Sequence, residues 1–139
     1  MIKMKFSQLA ILTSVLFFIL ATVWMFFPEQ LLTQWGIEPT AGTGVISHRC
    51  AAFFAGIGVM CLFARNAEPS LTRYALAAGI STISLILAIM GIVEWREGHV
   101  NGQILFAVFI ELFLGVAFLL SNRAVKKNLT DKRDRVNDK

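Results

Sequence analysis

Residues 103–120 read QILFAVFIELFLGVAFLL, an unbroken apolar run with a single charged residue, Glu111. A helix of about 20 such residues, rising about 1.5 Å per residue, crosses the hydrocarbon core of a bilayer. Three further runs of similar character lie at 8–27, 45–64 and 71–93. These runs lack the continuous polar face that a helix of a soluble bundle requires. The sequence therefore predicts an all-α integral membrane protein, a four-helix transmembrane bundle.

The composition of the chain agrees with this prediction. Of 139 residues, 56% are hydrophobic and 16% charged, whereas a soluble domain has about 45–50% and about 25%. The net charge of +4 comes from basic residues that flank the apolar runs, with no aromatic-interleaved basic surface, so no nucleic acid partner is expected. We expect one transmembrane domain over 1–120 and a charged cytoplasmic tail over 121–139. The last helix should enter the tail for a turn or two and then fray.

The N-terminal run is predicted to be a retained helix. It is longer than the roughly 7–15 apolar residues of a signal peptide, and bulky residues stand where a cleavage site would lie, from Trp24 to Pro28. Pro28 should end this first helix. The following segment to Gly44 places Leu31, Leu32 and Trp35 on one helical face, which predicts a short amphipathic helix in the membrane interface. Pro39 and the Gly42-Thr-Gly44 run are expected to break this helix.

The distribution of basic residues predicts the orientation. Eleven of the thirteen Lys and Arg residues lie on one side of the predicted spans: Lys3, Lys5, Arg65, Arg73, Arg123, Lys126, Lys127, Lys132, Arg133, Arg135 and Lys139. The other side has Arg49 and Arg96 alone. Because Lys and Arg are retained in the cytoplasm, both termini should be cytoplasmic. In a bacterium this predicts a multi-pass protein of the cell inner membrane, with Trp24, Trp35 and Trp95 at the membrane interface.

Glu111 is the residue that most invites a functional interpretation. An ionised carboxylate inside a membrane costs several kcal/mol unless it is paired, so intramembrane acids are functional candidates. Arg49, in the second predicted span, is its natural partner. The pair could form a ligand site in the outer half of the bundle. Alternatively, the two residues form a structural ion pair, or Glu111 is hydrogen-bonded to Ser81, Thr82 or Ser84.

His48 lies beside Arg49 and is a second candidate, because histidine titrates near neutral pH and binds metals. Its possible partners are His99, Glu94 and Glu97 on the other external turn. Interfacial polar residues explain this set better than a metal site. No catalytic set, phosphate loop or haem-ligand pattern is found in the sequence, so no cofactor is expected. Cys50 and Cys61 stand roughly 16 Å apart along one helix and cannot pair.

Small residues mark the second and third spans, with Ala52-x-x-x-Gly56 the clearest pair. Such faces let helices approach closely. They can serve packing within the bundle, or they can form a homo-oligomer or bind a membrane protein partner.

The sequence around these residues resembles a known group. Residues 49–58 read RCAAFFAGIG, an Arg at the head of a Gly/Ala-rich helix, and Glu111 follows in the last span. In this pattern, from Phe6 to Leu120, the chain resembles the small bacterial four-helix membrane proteins of the DoxX-like kind. The resemblance implies that Arg49 and Glu111 occupy recurrent polar positions. It also implies a link to quinones, since some relatives are membrane subunits of quinone-linked oxidoreductases.

These observations favour an accessory or partner-binding membrane subunit, without enzymatic activity of its own, that contacts lipid or quinone near Arg49 and Glu111. One alternative is a small proton-coupled transporter that uses Glu111 as its titrating group. A second is a membrane-bound oxidoreductase subunit that works at the outer interface with His48, Arg49 and Glu94. A transporter needs Glu111 in a wet cavity, whereas the enzyme needs the external histidines and acids to converge.

Overall fold

The computed structural model describes residues 5–137, and the side chains of 5–122. Within this range the chain forms helices only: α1 (Phe6–Phe26), α2 (Pro28–Gln34), α3 (Ala41–Ala64), α4 (Leu71–Arg96) and α5 (Ile104–Asn137). In α1, α3, α4 and the first part of α5, Ile104–Asn122, the helix is long and apolar enough to cross a membrane. The predicted fold class is thus confirmed, including the short helix between the first two spans. The protein is a multi-pass membrane protein.

The outer surface of the bundle is apolar. The side chains of Phe53, Phe63 and Phe106 are 71%, 80% and 74% exposed, and many other large apolar side chains on the spanning helices are similarly open. Soluble monomers rarely expose contiguous apolar patches beyond a few hundred Å². This surface is suited to the acyl chains of lipids.

Two helix starts are set by capping. Pro28 occupies the first turn of α2, where a missing N–H costs nothing. At α3, the hydroxyl of Thr40 accepts from the Thr43 N–H at 3.1 Å, and the hydroxyl of Thr43 accepts from the Thr40 N–H at 2.8 Å. This reciprocal cap starts α3 at Ala41. A break does follow α2, but it ends at Thr40, because Gly42 to Gly44, predicted to belong to it, form the first turn of α3.

The last two helices are longer than predicted. The segment from Glu94 to Arg96, expected as a turn, is the final turn of α4, and the chain leaves the helix at Gly98, whose φ is +78°. The hydroxyl of Ser70 caps the start of α4 by accepting from the Arg73 N–H at 3.2 Å. The backbone of α5 remains helical to Asn137, because residues 123–137 contain strong helix formers and neither Gly nor Pro.

The four spanning helices form two antiparallel hairpins. In the first hairpin α1 packs on α3, and in the second α4 packs on α5. The Ser14 hydroxyl donates to the Gly58 carbonyl at 2.9 Å, and the Ser81 hydroxyl donates to the Gly115 carbonyl at 2.8 Å. Each hairpin is thus fastened by a serine of its first helix and a glycine of its second. We call this contact the Ser–Gly lock.

The residue four positions after each serine completes the lock. A Cβ on Gly58 would lie 3.2 Å from the Phe18 ring, and one on Gly115 would lie 2.8 Å from Leu85. Both glycines therefore receive a bulky side chain from the opposite helix. Small residues at these positions permit the close helix approach that drives association in a membrane.

The two hairpins meet along a seam between α1 and α5. At one end, the rings of Phe6 and Phe118 pack edge to face with centroids 6.4 Å apart. At the other end, Asn101 donates from its backbone N–H to the Trp35 carbonyl at 2.8 Å and from its side-chain amide to the Gln34 carbonyl at 2.7 Å. The first of these ends also has Lys5, Arg65 and Arg73, and we call it the basic end. The opposite end is the α2 end.

Candidate functional site

Glu111 lies on the inner face of α5. It follows Val108 by three residues and precedes Gly115 by four, and both neighbours are buried. Val108 packs against Gly91 of α4, and Gly115 packs against Leu85. Because Glu111 lies midway between these two contacts, its side chain leaves α5 at the level of the middle of α4. The residue is half-buried, neither sealed in the core nor open to lipid.

The predicted partner of Glu111 is elsewhere. Arg49 is exposed on α3, and α3 packs on α1 rather than on α5. Among the described side chains, no ion pair joins Arg49 to Glu111. Ser81 donates instead to the Gly115 carbonyl, and Thr82 is exposed. Ser84 is buried on α4, and a hydrogen bond between Ser84 and Glu111 stays a prediction. A ligand site that combines Glu111 with Arg49 and His48 stays a prediction, and the structure does not bring the three together.

The structure also contains a buried hydroxyl that the sequence analysis did not single out, that of Thr13. Thr13 of α1 is fully buried, with 0% exposure, and its Oγ1 has no hydrogen-bond partner in the described part of the chain. Unsatisfied buried polar atoms are rare in folded proteins and call for an explanation. Thr13 therefore marks a place where the interior of the bundle offers an unused polar group.

The geometry of the seam sets Thr13 and Glu111 at the same level. Phe6 and Phe118 are in contact, and α1 and α5 are antiparallel. Thr13 follows Phe6 by seven residues and Glu111 precedes Phe118 by seven, so each lies about 10 Å further along its helix on nearly the same face. The register of the seam thus places a carboxyl group and a hydroxyl without a described partner at the same level of two neighbouring helices.

Sequence reasoning could have found Thr13 through one signal. Thr13 and Ser14 are adjacent polar residues inside an otherwise apolar run. Consecutive residues point about 100° apart on a helix, so the two hydroxyls must serve different neighbours. Ser14 faces α3 and forms the Ser–Gly lock, which leaves Thr13 to the seam. The assignment of each face requires knowledge of which helices pair, and the sequence does not supply it.

A second polar cluster lies at the α2 end. The Nδ1 of His99 is 2.7 Å from a carboxylate oxygen of Glu94 and 3.5 Å from one of Glu97. The hydrogen bond with Glu94 raises the pKa of His99, and the charges of both acids add to the shift. The side-chain nitrogen of His99 and the carboxylate oxygens of Glu94 and Glu97 are close enough together to bind a metal ion. However, His99 is fully solvated and already paired, which is typical of a surface ion pair.

His48 does not join this cluster. It lies on the exposed face of α3 beside Arg49. An enzyme at this interface requires both histidines to lie close to the external acids. Among the described side chains, His99 lies close to Glu94 and Glu97, and His48 does not join them.

The three tryptophans gather at the α2 end. The rings of Trp24 and Trp35 pack edge to face at 5.8 Å, and Trp24 also contacts Phe54 at 6.2 Å. Trp95, near the end of α4, is 43% exposed. In an interfacial aromatic belt the aromatic side chains lie at a common level at one end of the bundle, as these three tryptophans do. Their place in the membrane interface stays a prediction.

Comparison of the chain with protein family models, with curated proteins and with solved structures found no match. The resemblance to DoxX-like proteins therefore stays a prediction, and function has to be inferred from the side chains and their surroundings.

Proposed function

We propose that the protein is an accessory subunit of a bacterial inner membrane that binds a quinone, or another membrane-dissolved molecule with a polar head, between Glu111 and Thr13. The observation that carries the proposal is the buried Thr13 hydroxyl, which has no partner in the described part of the chain and lies at the level that the helical register gives to Glu111. None of these residues is proposed to be catalytic. The DoxX-like pattern, with its quinone-linked relatives, points in the same direction.

The chemistry of the pair is suited to a carbonyl or hydroxyl head group. A threonine hydroxyl both donates and accepts, and a carboxyl group accepts when ionised and donates when protonated. A head group between them would satisfy both, and an unsatisfied polar group in hydrocarbon costs several kcal/mol. Binding of such a molecule would thus remove the free-energy cost of the unsatisfied polar groups and form two hydrogen bonds.

The surroundings provide a route from the lipid. The side chains of Phe109, Leu112 and Phe113 beside Glu111 are 70%, 40% and 46% exposed. The hairpins also pack less closely against each other than their helices pack internally. An apolar tail can therefore lie on the outer face of α5 while its head group reaches into the seam.

The orientation of the proposed subunit follows from its charges. With the basic end in the cytoplasm, both termini are cytoplasmic and the α2 end faces the periplasm. Arg49 and Ala52-x-x-x-Gly56 then lie on an exposed face of α3, where a partner subunit or a second copy can bind.

The test is infrared difference spectroscopy of the full chain in lipid nanodiscs, recorded before and after addition of a short-chain ubiquinone. We expect a shift of the Glu111 carboxyl or carboxylate band, which is absent in Glu111→Gln. Thr13→Val should weaken quinone binding by roughly fivefold, the value of one hydrogen bond of about 1 kcal/mol.

Matched controls separate the seam from the lipid surface. Thr82→Val makes the same change at an exposed position of α4, and Glu29→Gln removes an exposed acid of α2. Both should bind quinone as the wild type does. A Glu111 band that does not respond to quinone, or equal losses in Thr13→Val and Thr82→Val, would exclude the proposed site.

A second candidate function is a proton-coupled carrier, and the repeated Ser–Gly lock favours it. Some transporters consist of parallel repeats, and their binding sites lie between the repeats near the middle of the membrane. Glu111 lies at such a boundary. Liposomes that contain the protein and an internal pH-sensitive dye would then show a proton flux that Glu111→Gln abolishes. If wild-type liposomes are no more permeable to protons than empty ones, the carrier is excluded.

A further inference from the structure

A cleft at the basic end collects positive charge. It has a volume of about 470 Å³ and is lined by residues of α1, of the α3–α4 turn and of α4: Lys5, Phe6, Ser7, Arg65, Asn66, Ala67 and Arg73. Three of these are cationic and none is acidic. The nearest acid in the sequence, Glu68, is exposed and does not line the cleft. An anion in the cleft would therefore meet no repulsive carboxylate from the lining.

Contacts within the protein hold both arginines in place, and each arginine retains N–H groups that can donate to an anion. Arg73 lies 3.9 Å above the centroid of the Phe6 ring and donates from one terminal nitrogen to the Ala67 carbonyl at 3.2 Å. Its Nε is buried without a partner in the described part of the chain. Arg65 donates from one terminal nitrogen to the Leu62 carbonyl at 2.7 Å. Among the described side chains, neither arginine forms a salt bridge.

The start of α1 adds to the positive field. Lys5 precedes α1, and the first turn of this 21-residue helix, Phe6 and Ser7, lines the cleft. The first N–H groups of a helix have no partner within the helix, and they favour anions such as phosphate. The cleft thus combines the N-terminus of a helix with three side-chain cations.

Exposed apolar side chains lie at the same end of the bundle as the cleft. Phe63, in the last turn of α3, is 80% exposed, and Leu71, the first residue of α4, is 75% exposed. A free phosphate ion makes no use of such a surface, whereas the acyl chains of a lipid do. The lining thus matches a phosphate group, and the exposed apolar side chains match the acyl chains attached to it.

We infer that this cleft binds the phosphodiester group of an anionic phospholipid. Arg65 and Arg73 contact the phosphate, the start of α1 and Lys5 complete its cage, and the acyl chains lie along Phe63 and Leu71. The site is independent of the proposed function, because it shares no residue with Glu111 and Thr13. It assigns these three cations a specific ligand in addition to their effect on orientation.

The test is thermal unfolding of the full chain in a neutral detergent, followed by circular dichroism. The probes are dihexanoyl phosphatidylglycerol, dihexanoyl phosphatidylcholine and inorganic phosphate. We expect the anionic lipid to raise the Tm, the zwitterionic lipid to have little effect, and inorganic phosphate to act more weakly than the anionic lipid at equal concentration. In Arg65→Gln/Arg73→Gln the affinity for phosphatidylglycerol should fall roughly 25-fold, about fivefold for each cation.

The charge-matched control is Lys126→Gln/Lys127→Gln, which removes the same charge from the tail and should retain binding. If the double arginine variant does not fold, Lys5→Gln, at an exposed position before α1, should still lose roughly fivefold in affinity. Equal stabilisation by both lipids, or equal losses in the cleft and tail variants, would overturn the inference. Inorganic phosphate as effective as phosphatidylglycerol would also overturn it, since the ligand would then be a soluble phosphate.

Discussion

Ser14 and Thr13 are neighbours in the chain, and their hydroxyl groups differ in their hydrogen bonding. Ser14 donates to a carbonyl of the facing helix, while Thr13 is as deeply buried with no partner in the described part of the protein. One stabilises the fold and the other leaves a donor and an acceptor unused. A polar residue in a membrane helix thus has to be interpreted through the helix it faces.

The Ser–Gly lock should contribute measurably to stability. We expect Ser14→Ala and Ser81→Ala each to lower the free energy of unfolding by about 0.6 kcal/mol, and by no more than about 1.7 kcal/mol, as is usual for hydrogen bonds between membrane helices. Unfolding in a titration with sodium dodecyl sulfate measures this change. Thr22→Ala is the control, because Thr22 bonds only to the Phe18 carbonyl of its own helix. A loss in the control as large as that in Ser14→Ala would contradict the interpretation.

His99 should show a pH dependence set by its neighbours. The hydrogen bond with Glu94 raises the pKa of His99 above its ordinary value, so the folded state favours the protonated ring. The stabilisation is fully present below about pH 6.5, the pKa in an unfolded chain, and is lost as the pH rises through the folded value.

Proton NMR titration of the His99 ring tests this expectation. Glu94→Gln should lower the His99 midpoint more than Glu97→Gln, since Glu94 is at 2.7 Å and Glu97 at 3.5 Å. A midpoint unchanged by Glu94→Gln would show that the pair does not persist in solution.

At the scale of the helices, glycines decide which faces can approach. Gly58, Gly91 and Gly115 face side chains of the opposite helix, whereas Gly56 and Gly79 face open space. The sequence analysis singled out Ala52-x-x-x-Gly56, yet both of these residues are exposed, and the close contact within the hairpin is made at Gly58. Composition identifies a helix rich in small residues, but it does not identify the face that packs.

Two glycine substitutions in the second hairpin should therefore have opposite effects. Gly115→Ala would place a Cβ 2.8 Å from Leu85 and should destabilise the protein by about 1–3 kcal/mol, the usual cost of overpacking. Gly79→Ala adds its methyl group in open space and should be neutral or slightly stabilising, because alanine is the better helix former by about 1 kcal/mol. Thermal unfolding compares the two, and equal destabilisation would mean that the α4–α5 contact is not as close as described.

For the whole molecule, the number of spans followed from hydropathy alone, because about 20 apolar residues leave few alternatives to crossing a bilayer. The pairing of the helices did not follow from hydropathy. Arg49 and Glu111 were expected to meet, yet α3 packs on α1 and Arg49 is exposed. All faces of these helices are apolar, so the sequence pattern does not distinguish an inner face from a lipid face. The partners of Glu111 therefore had to come from the structure.

The orientation of the molecule gives a further prediction. In a variant without its native cysteines, Asn66→Cys at the basic end should react with a membrane-impermeant maleimide only from the cytoplasmic side. Glu97→Cys at the α2 end should react only from the opposite side, because we expect the basic residues to retain the first end in the cytoplasm. Both positions are exposed in the structure, so labelling reports the side of the membrane. Reversed labelling would contradict the proposed orientation.

The two Ser–Gly locks also have a consequence for biosynthesis. Each lock is complete within a single hairpin, and neither needs a residue of the other hairpin. The first hairpin can consequently reach its final packing while the ribosome is still translating the second. The seam closes last, when Phe118 meets Phe6 and Asn101 meets Trp35. In this order of assembly, Thr13 is already inside the membrane when the helix that contains Glu111 enters it.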